Sequence, residues 1–144
     1  MDTILEEAIV KKLVRYALDA RKSAYAPYSH YNVGAALYTM DGKIIQGCNI
    51  ENASYGATNC AERTAFFKAV SEGERRFCAI AIAGGPADGE PADYAYPCGI
   101  CRQVMQEFAG GDFVVIVAKS ECDYKIFCLK DLLPSGFGGG QLEL

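Results

Sequence analysis

The chain has 144 residues, 51% of them hydrophobic, and a formal net charge of −4 at pH 7, which predicts a single domain spanning residues 1–144. The acidic balance argues against a nucleic-acid partner, because phosphate backbones are bound by clustered lysine and arginine. The sequence shows neither a membrane span nor a signal-peptide pattern, so we expect a cytoplasmic protein with a small, soluble partner.

The first third of the chain predicts a helix followed by a β-hairpin. Apolar residues recur every three or four positions and predict an amphipathic helix from about 4 to 22, with an inward face of Leu5, Ile9, Leu13, Tyr16 and Ala20. Pro27 cannot continue a helix and lies in a predicted loop. Two β-type runs, Val33–Tyr38 and Lys43–Cys48, flank a Met-Asp-Gly turn and predict the hairpin.

The remainder predicts two more helices and three more strands. The helices run from Cys60 to about Glu72 and from Cys98 to Phe108, the second with Ile100, Val104, Met105 and Phe108 facing inward. Residues 84–96 are rich in Gly, Pro, Asp and Ala and predict a surface loop. The three apolar runs that predict strands are Phe77–Ala83, Phe113–Ala118 and Tyr124–Leu129.

The connections between these strands predict the fold class. The strands Phe77–Ala83 and Phe113–Ala118 are connected through a helix, so they should be parallel. Only about five residues connect Phe113–Ala118 to the last strand, which is too short for a crossover, so the last strand should be antiparallel. We therefore expect an α/β fold with three α/β/α layers and a mixed sheet of about five strands.

Three cysteines and a glutamate have the pattern of a zinc site. Cys60 precedes Glu62 by two residues, and a Pro-Cys-x-x-Cys sequence supplies Cys98 and Cys101. Three protein ligands leave a tetrahedral zinc ion one open position, which normally holds a reactive water. Cys60 lies at one predicted helix start and the pair Cys98 and Cys101 at another, and the free backbone N–H groups at a helix start favour thiolates. Arg63 is a candidate donor to the same sulfur atoms.

Other interpretations of these residues remain open at this point. Glu62 with Asn59 could form a capping box, and the Cys-x-x-Cys pair could be redox-active. A closed structural zinc site would take its fourth thiol from Cys48 or Cys78. His30, the only histidine, has the sequence context of a loop residue rather than a ligand.

The same residues carry a resemblance to a known family. The spacing of Cys60-Ala-Glu62 and Pro97-Cys98-x-x-Cys101 resembles the zinc-dependent nucleoside and nucleobase deaminases. Further segments resemble the small homotetrameric cytidine deaminases: Tyr25-Ala-Pro-Tyr-Ser, Tyr31-Asn-Val-Gly-Ala-Ala, Gly47-Cys-Asn-Ile-Glu-Asn-Ala, Asn59-Cys-Ala-Glu-Arg-Thr-Ala and Leu132-Leu-Pro-Ser-Gly-Phe137. Together these segments extend over almost the whole chain.

The resemblance implies one Zn²⁺ per chain and hydrolytic deamination of free cytidine and 2′-deoxycytidine in pyrimidine salvage. It implies Cys60, Cys98 and Cys101 as ligands and Glu62 as the proton carrier. It further implies a homotetramer in which neighbouring subunits complete each pocket. The substrate contacts that it implies are Tyr31, Asn49, Glu51, Tyr55, Ala61 and Phe137.

Two other functions are weighed against cytidine deamination. One is deamination of a cytosine nucleoside antibiotic, as in the blasticidin deaminases, which share the thiol and glutamate motifs. The other is a non-catalytic, zinc-stabilised interaction module, which requires four protein ligands instead of three.

Overall fold

The structure, a computed structural model, describes residues 5–142 and has a five-stranded mixed sheet at its centre. The strands in chain order are β1 (Tyr31–Thr39), β2 (Ile44–Cys48), β3 (Phe77–Pro86), β4 (Val114–Ser120) and β5 (Asp123–Cys128). The helices are α1 (Glu7–Ala20), α2 (Ala61–Ser71), α3 (Gly99–Phe108) and the short α4 (Leu129–Leu132). No helix within residues 5–142 has both the length and the apolar character needed to cross a bilayer.

The strand order is β2-β1-β3-β4-β5. The β3–β4 pair is parallel, whereas β1–β2, β1–β3 and β4–β5 are antiparallel. The predictions of a parallel central pair and an antiparallel last strand are therefore confirmed. The crossover between the parallel strands contains α3, which begins directly after Cys98.

Helices cover both faces of the sheet, as predicted. On β3, Ala79, Ala81 and Ala83 face α1, while Ile80 and Ile82 face the side of α2 and α3. The alternation follows from the two-residue period of a strand, and burial of both faces explains why the run is apolar throughout. The small alanines let α1 lie close to its face, whereas larger side chains fill the opposite core.

Helix α1 differs from its prediction at its start and in its buried face. It begins at Glu7, with Glu6 as the N-cap residue, rather than near residue 4, which lies outside the described residues. Tyr16 is 38% exposed and does not belong to the buried stripe of Val10, Leu13, Val14, Ala17 and Ala20. A Cβ at Gly34 would lie 2.0 Å from the Ala17 carbonyl oxygen, so contact with β1 selects the face that turns inward.

Strand β3 is longer than predicted. It continues through Gly84 and Gly85 to Pro86, although these residues were predicted to open a loop. The extension pairs with the start of β1, where Tyr31, Asn32 and Val33 lie opposite Pro86, Gly85 and Gly84. A neighbouring strand thus overrides the weak strand preference of glycine and proline.

Helix α3 buries Cys101 and Met105 among its residues, whereas Ile100 is 61% exposed. The prediction that Ile100 faces inward is therefore wrong. Because Cys101 faces inward beside Cys60, the adjacent Ile100 lies roughly 100° away around the helix.

Helix α2 packs directly on the backbone of β2 at Gly47. A Cβ at Gly47 would lie 2.4 Å from the Ala61 carbonyl oxygen and 2.5 Å from the Ala65 backbone nitrogen. We expect Gly47→Ala to lower the free energy of unfolding by about 1–3 kcal/mol, because neither backbone can move without disturbing the core. Urea denaturation measures this change.

Gly56→Ala is the matched control, since a Cβ at Gly56 meets no atom within 4 Å. A Gly47→Ala variant as stable as this control would show that α2 shifts away from β2 at little cost.

Candidate metal centre and catalytic pocket

Two helix N-termini bring three thiols together. Cys60 is the N-cap residue of α2, Cys98 is the N-cap residue of α3, and Cys101 lies in the first turn of α3. The Cys60 and Cys98 sulfur atoms are 3.9 Å apart, and those of Cys98 and Cys101 are 3.5 Å apart. All three lie within 4.8 Å of one another, so the helix starts predicted from sequence converge on one point.

The spacing of the sulfur atoms fits a zinc ion. Tetrahedral Zn–S bonds of roughly 2.3 Å place neighbouring sulfur atoms about 3.8 Å apart. The two measured separations lie on either side of this value. Within residues 5–142, the cluster of metal-ligating groups contains neither Cys48 nor Cys78. This composition favours three protein ligands over a closed four-cysteine site.

Charge at the cluster is balanced by Arg63 and by the helix ends. The Arg63 Nη2 donates to the Cys60 sulfur at 3.1 Å. Hydrogen bonding from the Cys101 thiol, opposed by burial and reinforced by Arg63, lowers the pKa of Cys60 to about 5. Hydrogen bonding to Cys60 and then burial raise the pKa of Cys101 above its ordinary value.

Removal of the Arg63 side chain should weaken metal binding. Arg63→Ala leaves the thiolates without a charge-assisted donor, and we expect zinc affinity to fall about 10- to 100-fold, as for other outer partners of metal ligands. Competition with a chromophoric chelator measures this affinity. Arg15→Ala, which removes an exposed arginine of α1, is the control, and equal zinc affinity in both variants would rule out a role for Arg63 at the metal.

Glu62 lies in the first turn of α2 and is only 5% exposed. Burial raises the pKa of its carboxyl group to about 7, so the group can both accept and release a proton near neutral pH. The capping-box interpretation is wrong, because α2 begins with Cys60 as its N-cap and Glu62 then occupies the second helical position instead of the third. Asn59 instead donates to the Thr64 hydroxyl.

A cavity of about 260 Å³ opens beside this cluster. Glu62, Cys60 and Cys98 line it together with residues from β1, α2, β3 and the segment before α3, namely Tyr31, Val33, Ala61, Ile82, Ala95 and Tyr96. Tyr31 and Ala61, both predicted to contact substrate, therefore lie in the same cavity as the cluster. Its walls are largely apolar, which suits a flat, partly apolar ring.

Asn49 and Glu51 hold the protein backbone near this cavity. The Asn49 Oδ1 accepts from the Val33 backbone N–H at 2.9 Å, and its Nδ2 donates to the Tyr31 carbonyl oxygen at 2.8 Å. Glu51 accepts from the backbone N–H groups of Tyr28 and Ser29 and from the Ser29 hydroxyl. Neither side chain lines the cavity beside the thiols.

Two further predicted contacts lie outside that cavity. Tyr55 is 75% exposed and lines a different cavity of about 400 Å³ with Tyr28 and Glu51. Phe137 is 56% exposed, and its carbonyl oxygen accepts from Gln103 of α3 at 2.8 Å. The structure therefore assembles the three thiols and Glu62 within one chain but does not bring Tyr55 or Phe137 to the same pocket.

Sequence reasoning missed the wall formed by Ala95 and Tyr96. Both belong to the segment predicted as a surface loop, and neither was assigned a role. The available signal was position, since Tyr96 precedes the Pro97-Cys98 sequence directly and must end near the ligand.

Comparisons with known proteins agree with this geometry. The family model described as cytidine and deoxycytidylate deaminase zinc-binding region matches residues 8–117. A cytidine deaminase of Halalkalibacterium halodurans is 49% identical over 125 residues, which cover 87% of this chain and 91% of the relative. The crystal structure of a Burkholderia pseudomallei cytidine deaminase superposes with a TM-score of 0.80 at 48% identity, covering 88% of this chain and 97% of that one.

A more distant relative is a deaminase named for a different substrate. The blasticidin-S deaminase of Bacillus cereus is 34% identical over 108 residues, which cover 73% of this chain and 76% of that protein.

Proposed function

The chain belongs to the cytidine and deoxycytidylate deaminase family, and we propose that it hydrolyses free cytidine and 2′-deoxycytidine to uridine and 2′-deoxyuridine with release of ammonia. The observation that carries this proposal is a cavity lined by the buried Glu62 and by Cys60 and Cys98, two members of a cluster of three thiols at zinc-ligand spacing. The enzyme is a zinc-dependent deaminase, and Cys60, Cys98 and Cys101 are its proposed ligands.

The proposed reaction relies on two successive proton transfers through Glu62. When bound, the zinc ion holds a water and lowers its pKa, which supplies a nucleophile at neutral pH. The Glu62 carboxylate accepts a proton from the attacking water and donates it to N3 of the base, which makes C4 more electrophilic. The oxygen of the deprotonated water bonds to C4, and Glu62 takes the second proton from the resulting hydroxyl group. Glu62 delivers this proton to the amino group on C4, which leaves as ammonia while the C4–O bond becomes the carbonyl of the product.

The other residues of the cavity orient the base and exclude water. Ala61 directly precedes Glu62 and is fully buried, so its backbone lies at the reacting end of the cavity. Tyr31 offers an aromatic ring beside it, against which a pyrimidine can pack. We assign these two residues to binding of the base.

We assign binding of the sugar to Asn49 and Glu51, although backbone contacts already use part of their hydrogen-bonding capacity. The Asn49 amide keeps one N–H and one lone pair beyond its two backbone bonds, and Glu51 keeps about one of its four acceptor positions. Each side chain can therefore take one ribose hydroxyl while still supporting β1 and the loop of residues 28 and 29.

We assign the assembly as a homotetramer, with Tyr55 and Phe137 serving neighbouring pockets. Both rings are exposed in the single chain and lie outside its own catalytic cavity, and aromatic side chains are enriched at subunit interfaces. Light scattering during size-exclusion chromatography measures the mass of the assembly. A monomer with full activity would remove this assignment.

The biological setting that fits is pyrimidine salvage in the cytoplasm. Three ligand thiols must stay reduced to bind metal, and the cytoplasm is the compartment that keeps thiols reduced. Deamination of a free nucleoside returns its base to the uridine pool.

Incubation of the purified protein with cytidine tests the function. The ultraviolet spectrum should change from that of cytidine to that of uridine, and ammonia should appear in equal amount. Activity should disappear on zinc chelation and return with added zinc. A protein that binds zinc through four ligands and leaves cytidine unchanged would instead be the interaction module.

Blasticidin S in a parallel reaction tests the antibiotic alternative, which the more distant relative motivates. Preference for the antibiotic over cytidine would overturn the proposed substrate while retaining the reaction type.

A further inference from the structure

Residues 87–96, here named the wall loop, run from the end of β3 toward the thiol of Cys98. Two residues at the end of this loop, Ala95 and Tyr96, line the cavity that also contains Cys60, Glu62 and Cys98. The wall loop therefore forms part of the pocket surface, although it has no regular secondary structure.

The start of the wall loop is held by a buried arginine. Arg21 is 9% exposed, and its Nη2 donates to the carbonyl oxygens of Pro86 and Gly89 at 3.0 Å each. Its Nε donates to the Asn32 carbonyl oxygen at 2.9 Å. One guanidinium group thus ties the loop to the beginning of β1, the strand that carries Tyr31.

The end of the wall loop is held by the β4–β5 hairpin. The Tyr94 hydroxyl donates to the Asp123 carboxylate. The Nζ atoms of Lys119 and Lys125 lie 4.7 Å and 4.8 Å from the centre of the Tyr94 ring. Such cation–π contacts restrict the ring in addition to the hydrogen bond.

The ring of Tyr96 is supported in the same way. It packs edge-to-face on Phe127 of β5, with ring centres 5.9 Å apart. The Tyr96 side chain is 46% exposed, and Phe127 gives its ring a packing partner outside the cavity. An aromatic ring with such a partner can serve as a boundary of the pocket.

The wall loop also closes against β1 over a glycine. A Cβ at Gly84 would lie 3.0 Å from the Ala95 Cβ and 3.0 Å from the Tyr31 Cε2. Ala95 and Tyr31 therefore both lie over Gly84, so the wall loop runs close to the ring assigned to base binding.

We propose that Tyr96 is a specificity-determining residue that limits the size of substituents at C5 of the pyrimidine. This inference rests on the proposed function, because it takes C4 of the base to lie beside Glu62 and the thiols. Tyr96 is two residues before Cys98, so its ring lies near the reacting end of the cavity. The two ring atoms next to C4 are N3 and C5. Because N3 receives its proton from Glu62, C5 is the atom that faces Tyr96.

The ratio of kcat/KM for 5-methylcytidine to that for cytidine tests the proposal. We expect Tyr96→Ala to raise this ratio about tenfold or more, since one methyl group in an apolar pocket changes selectivity roughly 10- to 200-fold. Tyr96→Phe should leave the ratio unchanged, because the ring rather than the hydroxyl sets the boundary. Tyr16→Ala, an exposed tyrosine of α1, is the control.

A second pair of variants separates selectivity from simple structural damage. Tyr94→Phe removes the hydrogen bond to Asp123 and should raise the ratio by a smaller factor, with zinc content and melting temperature close to wild type. If the Tyr96→Ala protein loses zinc, the same ratio is measured with Tyr96→Leu, which keeps an apolar side chain against Phe127. A purely structural role would lower kcat/KM for both nucleosides equally.

Calorimetric binding of uridine and 5-methyluridine to the same zinc-loaded variants repeats the comparison without turnover. If the wild-type protein is inactive on cytidine but the ratio of its affinities for 5-methyluridine and uridine changes when Tyr96 is replaced, the proposed deaminase function is wrong and the role of Tyr96 as a size limit stands. An unchanged ratio in the Tyr96→Ala or Tyr96→Leu protein, with zinc content retained, would overturn the boundary and retain the function.

Discussion

Glu62→Gln should retain a full complement of zinc and lose about 10²- to 10⁴-fold in kcat, the usual contribution of a general acid–base group. Glutamine has the shape of the carboxylate but cannot carry a proton between the water, N3 and the departing amine. Because the side chain is only 5% exposed, solvent cannot easily replace it as a proton carrier. Steady-state kinetics with cytidine, alongside metal analysis, measure both quantities.

Glu72→Gln is the matched control for this variant. Glu72 follows the last residue of α2 and is exposed, so the same change at the opposite end of the helix should leave kcat and zinc content as they are. A Glu62→Gln enzyme with wild-type turnover would assign proton transfer to a different group. Loss of zinc in that variant would instead make Glu62 a structural partner of the metal site.

Cys101→Ser should abolish both stable zinc binding and activity. A serine hydroxyl is not ionised at neutral pH, whereas a thiol becomes a thiolate on binding zinc. We expect zinc affinity to fall by more than the roughly 10- to 100-fold that accompanies loss of an outer partner. Metal content after dialysis against a chelator gives the readout, and cytidine turnover should fall in parallel.

Cys122→Ser controls for the general effect of replacing a cysteine. Cys122 is exposed and lies outside the cluster of three thiols, so its substitution should change neither zinc content nor turnover. Full zinc occupancy in the Cys101→Ser protein would show that another group completes the site. In that case the three-thiol assignment is wrong, whatever the activity.

The sequence predicted most of the fold because the relevant signals are local. The apolar run at β3 and the helix after Cys98 require only a few neighbouring residues to be recognised, and a connection containing a helix implies parallel strands. The thiol cluster was predictable for a related reason. Its members lie at two helix starts, and each start has its own sequence pattern.

The errors concern contacts between distant segments. Pairing with β1 extends β3 through Gly84–Pro86, and no local pattern indicates that partner. Tyr16 and Ile100 were predicted to face inward from their hydrophobic character, but the packing of α1 and α3 leaves both side chains exposed on the surface. The wall position of Tyr96 depends on Phe127, 31 positions later in the sequence, and on the register of an edge hairpin.

The proposed ligands lie at the starts of two separate helices, which also has a mechanical consequence. Cys60 and Cys98 are 38 positions apart, so a metal ion bound by both would close a chain loop in the manner of a covalent cross-link. For a loop of that length, the lost entropy of the unfolded chain corresponds to about 4 kcal/mol, if coordination restricts the chain as a disulfide does. The atom that activates water would then also clamp α2 to α3, so that chemistry and resistance to unfolding depend on the same bonds.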